Sequence, residues 1–311
     1  MMLPRSRARV SMCLLMLLGA ACNPAAATDP PAPPGQRLGP VLERIQREGR
    51  IVLAYRDASV PFSYLDGAGR PIGFALDICL RLVGAIQTRV KRDKLAVDYL
   101  PVNSANRFEA IERGRVQLEC GSTTSNTVRR ERVEFTIPHF ITGARLLVRS
   151  DSLIDGIDHP QLRRLVSTTQ TTPLEAARRM ANDRNLSITF IEVAEHDQAV
   201  AMVEKGEADA FAMDDAMLYG LKANRPNPAA LKVVGRFMTM EPLSIMLAKG
   251  DPEFKKLVDD EMRRLIHSQE MRVLYDRWFR QPIAPRGGVL NLAPSYMLQE
   301  VWKFPSDRVT F

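Results

Sequence analysis

The sequence predicts an α/β fold of two similar lobes, each a largely parallel sheet covered by helices. Three observations predict it. Strand-like and helix-like segments alternate along the chain, the order that builds parallel sheets flanked by helices. An internal repeat links the two halves: Ile111-Glu112-Arg113-Gly114-Arg115-Val116-Gln117-Leu118 matches Val203-Glu204-Lys205-Gly206-Glu207-Ala208-Asp209-Ala210. Each copy reads as a helix end, a glycine suited to a left-handed cap, and a buried strand. Both strands then run into polar residues, Ser122-Thr123-Thr124 in one half and Asp214-Asp215 in the other. In open α/β sheets, ligands bind at such C-terminal strand ends.

In the first half, Ile51 to Tyr55 is an apolar strand. Residues from about 75 to 91 have helical spacing, with Leu76, Leu80, Leu82 and Val83 placed on one side. Leu95 to Val102 is a strand, Arg107 to Arg113 a short helix, and Val116 to Cys120 a strand. In the second half, strands are expected at Ala144 to Arg149, Val166 to Thr168, Ile188 to Val193 and Ala208 to Met213. Helices are expected from Pro173 onward and at Asp197 to Lys205. Leu243 to Ala248 reads as one further strand. Helices follow at Pro252 to His267 and Gln269 to Phe279, the latter with a core stripe of Met271, Leu274, Tyr275 and Trp278.

The N-terminus is a leader rather than part of the fold. Arg5, Arg7 and Arg9 precede an apolar stretch from Val10 to Ala21, the order of a secretory signal. The stretch is shorter than the roughly 20 apolar residues of a permanent membrane helix. Two processing sites compete: Ala25-Ala26-Ala27, which would release a soluble protein, and Gly19-Ala20-Ala21-Cys22, which resembles a lipoprotein site acylated at Cys22. Residues 1–22 are thus assigned to the signal and the Pro/Ala-rich residues 23–40 to a linker. About 270 residues remain, enough for two medium domains.

The net charge is +7, three units of which are leader arginines. A small positive surplus suits an anionic ligand, and no basic run with interleaved aromatics marks a nucleic-acid binder. Only Cys79 and Cys120 lie in the fold. They form no C-x-x-C, so neither a zinc site nor a redox motif is indicated, and either a disulfide or two buried thiols fits them. The four histidines are too scattered to ligate a metal. No cofactor or metal is expected.

The candidate binding residues are arginines and polar groups at strand ends. Arg56 follows the first strand, Arg107 follows the second, and Arg129 follows the Ser122–Thr124 cluster. A planar guanidinium holds a carboxylate with two hydrogen bonds, so three of them suit a dicarboxylate. Ser122 and Thr124 supply hydroxyls. Thr172 precedes Pro173 at a helix start, where free N–H groups favour an anion and where Thr172 can also act as the cap. Asp214 offers a carboxylate to an ammonium. Asp215, adjacent on an extended chain, faces the other way and is expected to cap the next helix. His196 is either a ligand contact or a plain helix-start residue.

These stretches resemble family 3 of the ABC-transporter solute-binding proteins, and within it the periplasmic glutamate/aspartate-binding branch. The segments that carry the resemblance are Tyr55–Tyr64, Ser104-Ala105-Asn106-Arg107, Glu119-Cys120-Gly121-Ser122-Thr123-Thr124, Phe211-Ala212-Met213-Asp214-Asp215 and Trp278–Ile283. The resemblance implies a type II periplasmic binding fold with two lobes, 41–142 plus 246–311 and 143–245, joined by two hinge strands. It implies that Arg129 grips an α-carboxylate with help from Ser122, Thr124 and Thr172, and that Asp214 holds the α-ammonium. Arg56, Ser104, Arg107 and His196 would take the side-chain carboxylate of L-glutamate or L-aspartate. The chain departs from the family pattern at Gln170, where a glycine is usual. A monomer working in the periplasm with the permease subunits of an ABC importer is the implied setting. An enzyme on the same fold, such as a cyclohexadienyl dehydratase, and a ligand-sensing domain are the alternatives, since fold does not fix function. The only acid or base candidates for an enzyme are His196, Asp214 and Glu119.

Overall fold

The computed structural model describes residues 37–308. The two leader processing sites and Cys22 lie outside these residues. Two five-stranded sheets form the frames of two α/β lobes. In the first, the strands run in the order Ala96–Pro101, Arg50–Tyr55, Leu118–Glu119, Met246–Leu247, Glu134–Phe135. In the second the order is Thr189–Val193, Arg164–Thr168, Ala210–Asp214, Ala144–Arg149, Leu231–Val234. The first three strands of each sheet are parallel and the fourth is antiparallel to the third. The lobes therefore repeat one topology, as the internal sequence repeat predicts.

The repeat extends to the helix caps. Gly114 and Gly206 have φ of 63° and 72°. In both copies the glycine N–H bonds three residues back and the next N–H bonds five residues back. These are Gly114 to Ile111 and Arg115 to Ala110 in one copy, Gly206 to Val203 and Glu207 to Met202 in the other. The left-handed residue turns the chain out of the helix and straight toward the buried strand.

A two-stranded antiparallel ladder, Phe140–Thr142 against Glu241–Leu243, lies between the sheets and carries the chain from one to the other and back. This corrects the reading of Leu243 to Ala248 as one strand. Leu243 belongs to the connecting ladder, while Met246–Leu247 pairs inside the first sheet. A mostly apolar run, interrupted only by Ser244, conceals that change of partner, because both halves are buried. A second correction concerns the helix Phe74–Arg89. Leu80 is exposed, and the core face is Leu76, Ile78, Cys79, Leu82, Val83 and Ile86.

The helix Pro252–His267 forms over the expected residues, and Glu270–Phe279 starts one residue late. Met271, Leu274, Tyr275 and Trp278 are buried, with Phe279, against Phe62, Phe74 and Phe140 in an aromatic cluster. Cys79 and Cys120 are joined as a disulfide. The bridge ties the helix Phe74–Arg89 to the end of the strand Leu118–Glu119, at the edge of the polar cluster that begins at Gly121. None of the helices formed by the described residues is long and apolar enough to cross a membrane.

Candidate functional site

Every candidate residue sits where a strand gives way to a loop or helix. Arg56 directly follows Arg50–Tyr55. Ser104 lies in the turn before the helix Arg107–Glu112, whose first residue is Arg107. Ser122 and Thr124 follow Leu118–Glu119, and Arg129 stands in the short helix Thr127–Arg130, capped by the side chain of Asn126. From the other lobe, Thr172 and His196 are the first residues of their helices, and Asp214 ends the strand Ala210–Asp214. The folded chain brings all nine to one cavity, which they line together with Thr171, Pro173, Met213 and Met217. The cavity is small, with about 220 Å³ of non-atom space that includes its open mouth. Its lining is mostly polar and charged.

The arginines are fixed by neutral partners, which leaves their charge available. Arg56 donates to Ser104 Oγ at 3.2 Å, and its backbone N–H donates to Ser63 Oγ at 2.9 Å. Arg107 donates to Thr123 Oγ1 at 2.8 Å. Arg129 donates to the carbonyl of Thr124 at 3.1 Å, and Arg107 and Arg129 both lie over the Phe108 ring. Burial works against each of these cations; for Arg107, so do the neighbouring charges of Arg129 and Arg56. A ligand anion entering the cavity would reverse that penalty.

Asp214 is the acidic counterpart. It is 2 % exposed, and its Oδ1 makes no hydrogen bond among the described residues. Burial first, then the charges of Glu241 and Asp215, hold its carboxyl well above the usual range. Asp215 faces away, as expected from alternation, but it does not cap a helix. It accepts a hydrogen bond from Thr142 Oγ1 at 2.6 Å in the connecting ladder, because the helix Asp215–Ala223 begins at Asp215 itself. His196 is also buried. Desolvation, then Arg56 and Arg107, push its imidazole well below the ordinary value, so the ring is neutral. Its Nδ1 is 2.7 Å from Thr168 Oγ1, and Nε2 makes no hydrogen bond among the described residues. With Thr168 donating to Nδ1, Nε2 carries the ring hydrogen and is a donor.

Thr124 with Thr172 and Arg129 with Gln170 meet across the cavity, and the connecting ladder holds Thr172 from its other side. Thr172 donates to Glu241 Oε2 at 3.0 Å, so its single hydroxyl proton is used and Thr124, 3.2 Å away, donates to Thr172. Arg129 also reaches the carbonyl of Gln170 at 3.5 Å. Thr171, not Thr172, is the cap residue, and its hydroxyl donates to the Thr168 carbonyl. Gln170 has φ 57°. It adopts the left-handed conformation that glycine takes easily, so the loop holds that shape without the family's usual residue.

Four residues at the site escape the sequence reading of ligand contacts: Thr123, Glu119, Glu241 and Phe108. Glu119 and Thr123 lie inside the motif already singled out. Glu241 precedes the segment read as a strand, and no local signal places it opposite Thr172.

Residues 51–281 match the family described as bacterial extracellular solute-binding proteins, family 3. The chain belongs to that family. It is 37% identical over 268 residues to the L-glutamate/L-aspartate-binding protein of Pseudomonas aeruginosa, covering 86% of this chain and 89% of the relative. It is 32% identical over 270 residues to the glutamate/aspartate import solute-binding protein of Escherichia coli, covering 87% and 89%. Solved structures share the fold at lower identity. A mutant of ArgBP from T. maritima superposes with a TM-score of 0.68 at 18% identity, covering 76% of this chain and 98% of that one. The solute receptor for L-cysteine of Neisseria gonorrhoeae gives 0.66 at 19%, covering 76% and 92%. The type II periplasmic binding fold is therefore established, and the relatives are transport proteins rather than enzymes. Family 3 membership assigns the chain to solute binding rather than to catalysis.

Proposed function

We propose that this protein captures L-glutamate or L-aspartate between its lobes and presents the closed form, as a monomer in the periplasm, to the permease subunits of an ABC importer. One observation carries the reading: nine residues drawn from separate strand ends of both sheets converge on one small, polar cavity. Their charges suit an acidic amino acid. Arg129, with Ser122, Thr124 and Thr172, takes the α-carboxylate. Asp214 takes the α-ammonium, the cation that a buried carboxylate without a partner lacks. Arg56, Ser104, Arg107 and the neutral His196 take the side-chain carboxylate. The relatives' names point the same way. We take the lobes as residues 41–142 with 246–311, and 143–245, with the ladder Phe140–Thr142/Glu241–Leu243 as hinge. Ligand-driven closure is then a rotation about that ladder. Export follows from the leader, with Cys22 as the candidate lipid anchor.

Calorimetric titration tests this on purified mature protein, unfolded and refolded to strip carried-over ligand. Glutamate and aspartate are expected to bind at micromolar Kd or tighter, with glutamine and a neutral amino acid much weaker. No binding of any of the four removes the assignment.

A further inference from the structure

Glu119 is a buried carboxylate that the proposed ligand does not touch directly. It is fully inaccessible, at the end of the strand Leu118–Glu119. Its Oε2 accepts a hydrogen bond from Thr123 Oγ1 at 2.7 Å, and that same hydroxyl oxygen accepts from Arg107 at 2.8 Å. A hydroxyl has one proton. Here it is committed to Glu119, so the lone pairs of Thr123 are turned toward Arg107. The other oxygen, Oε1, makes no hydrogen bond among the described residues. It packs beside Arg56: a Cβ on Gly121 would lie 2.2 Å from Glu119 Oε1 and 3.1 Å from Arg56 Cγ. The bare glycine is what lets the carboxylate and the guanidinium stem share that space. Glu119 thus adjoins both Arg56 and Arg107 without lining the cavity, and its contact with Arg107 runs through a hydroxyl.

We propose that Glu119 is the internal counter-ion of the Arg56/Arg107 pair, a positioning residue that sets how strongly the site separates an acidic side chain from its amide. The reasoning is Coulombic. In the ligand-free protein, Glu119 supports two buried cations that otherwise repel each other. When a dicarboxylate binds, its side-chain carboxylate meets the same two guanidiniums from the cavity side, so Glu119 opposes it with a like charge. A neutral amide side chain feels no such opposition. Glu119 therefore holds the arginines ready while limiting how tightly they grip an acid, which favours release to a transporter.

This inference rests on the glutamate/aspartate reading, and titration of the unaltered protein tests that reading first: equal glutamate and glutamine affinities there would refute it before any variant is made. The test of Glu119 itself is Glu119→Gln, which keeps the shape and an acceptor for Thr123 but removes the charge. A like charge on the order of 10 Å away, at an effective dielectric near 20, changes binding by about tenfold or more. The glutamate-to-glutamine affinity ratio is therefore expected to rise about tenfold, while the ligand-free protein melts at a lower temperature and gains more from saturating glutamate. A ratio that stays the same or falls overturns the proposal, because a merely structural Glu119 would shift both ligands alike. Should Glu119→Gln not fold, Thr123→Val carries the test. It keeps the charge and cuts the tie to Arg107, so the ratio is expected to fall about tenfold, the loss of one charge-assisted hydrogen bond. An unchanged ratio in Thr123→Val overturns the relay.

Discussion

Replacing Asp214 by asparagine is expected to weaken ligand binding and strengthen the empty protein at once. The carboxylate is 2 % exposed and its Oδ1 has no hydrogen-bond partner among the described residues. Its pKa is raised well above the ordinary value, first by burial and then by Glu241 and Asp215. A group whose folded pKa is raised contributes stability that is fully present below its unfolded value, near 3.8, and is lost as pH rises through the folded value. At neutral pH the charged form is therefore a cost to the ligand-free fold, and Asp214→Asn removes it. For a bound amino acid the sign reverses, since the ammonium loses its counter-charge. Truncating one partner of a buried, hydrogen-bonded charge pair costs about 2–5 kcal/mol, so glutamate affinity is expected to fall by a factor of about 30 or more. The two arms are read separately, by thermal melting without ligand and by calorimetric titration. Binding should also release a proton wherever the free Asp214 is protonated, because the arriving ammonium favours the carboxylate. Titrations in buffers of different ionisation enthalpy measure that release. A variant that melts lower without ligand and yet binds glutamate within a few-fold of the parent would refute both the buried-charge argument and the ammonium assignment.

Arg107→Ala should cost glutamate and aspartate about 2–5 kcal/mol and glutamine markedly less; equal losses for acid and amide by titration would place Arg107 away from the side-chain end. His139 is buried between Phe62 and Phe74, and burial pulls its imidazole down to about 3. Its folded pKa lies below the unfolded value of about 6.5, so stability is full above pH 6.5 and is lost toward pH 3, by on the order of 4–5 kcal/mol. His139→Gln should lose this acid sensitivity, so a stability gap between parent and variant that stays constant from pH 7 to pH 4 in denaturant titrations argues against it. Breaking the Cys79–Cys120 bridge, which closes a separation of 41 residues, should cost about 4 kcal/mol by loop-closure entropy; an unchanged unfolding midpoint for the double serine variant would contradict that.

The parts of this molecule legible in its sequence are those with a local cause. Most helix and strand runs and the glycines at 114 and 206 act within a few residues, and the structure puts them where the pattern does, apart from Leu80 and the split run after Leu243. The convergence of the candidate residues is legible for a related reason. They lie next to strand ends, so the sequence neighbourhood of Arg56, Ser122 or Asp214 already states which end of the sheet it occupies. What stayed hidden depends on pairing across long separations. Nothing near Leu243 says that it leaves the sheet for Phe140, 103 positions earlier in the numbering. Nothing near Glu241 says that it accepts from Thr172. Asp215 reads as a cap until Thr142 is seen to donate to it.

Those hidden contacts share a location. Asp215 with Thr142, Glu241 with Thr172, and Thr124 with Thr172 all lie on or beside the connecting ladder. The ladder residue Glu241 also acts on Asp214 as a like charge. On the proposed reading, an ammonium at Asp214 would relieve that repulsion, and the same Glu241 accepts from Thr172, which meets Thr124 of the first lobe at 3.2 Å. A protein of this kind needs only a differential free energy between open and closed states. On the proposed function, that difference would lie in a few buried charges whose desolvation cost an amino acid of opposite signs offsets.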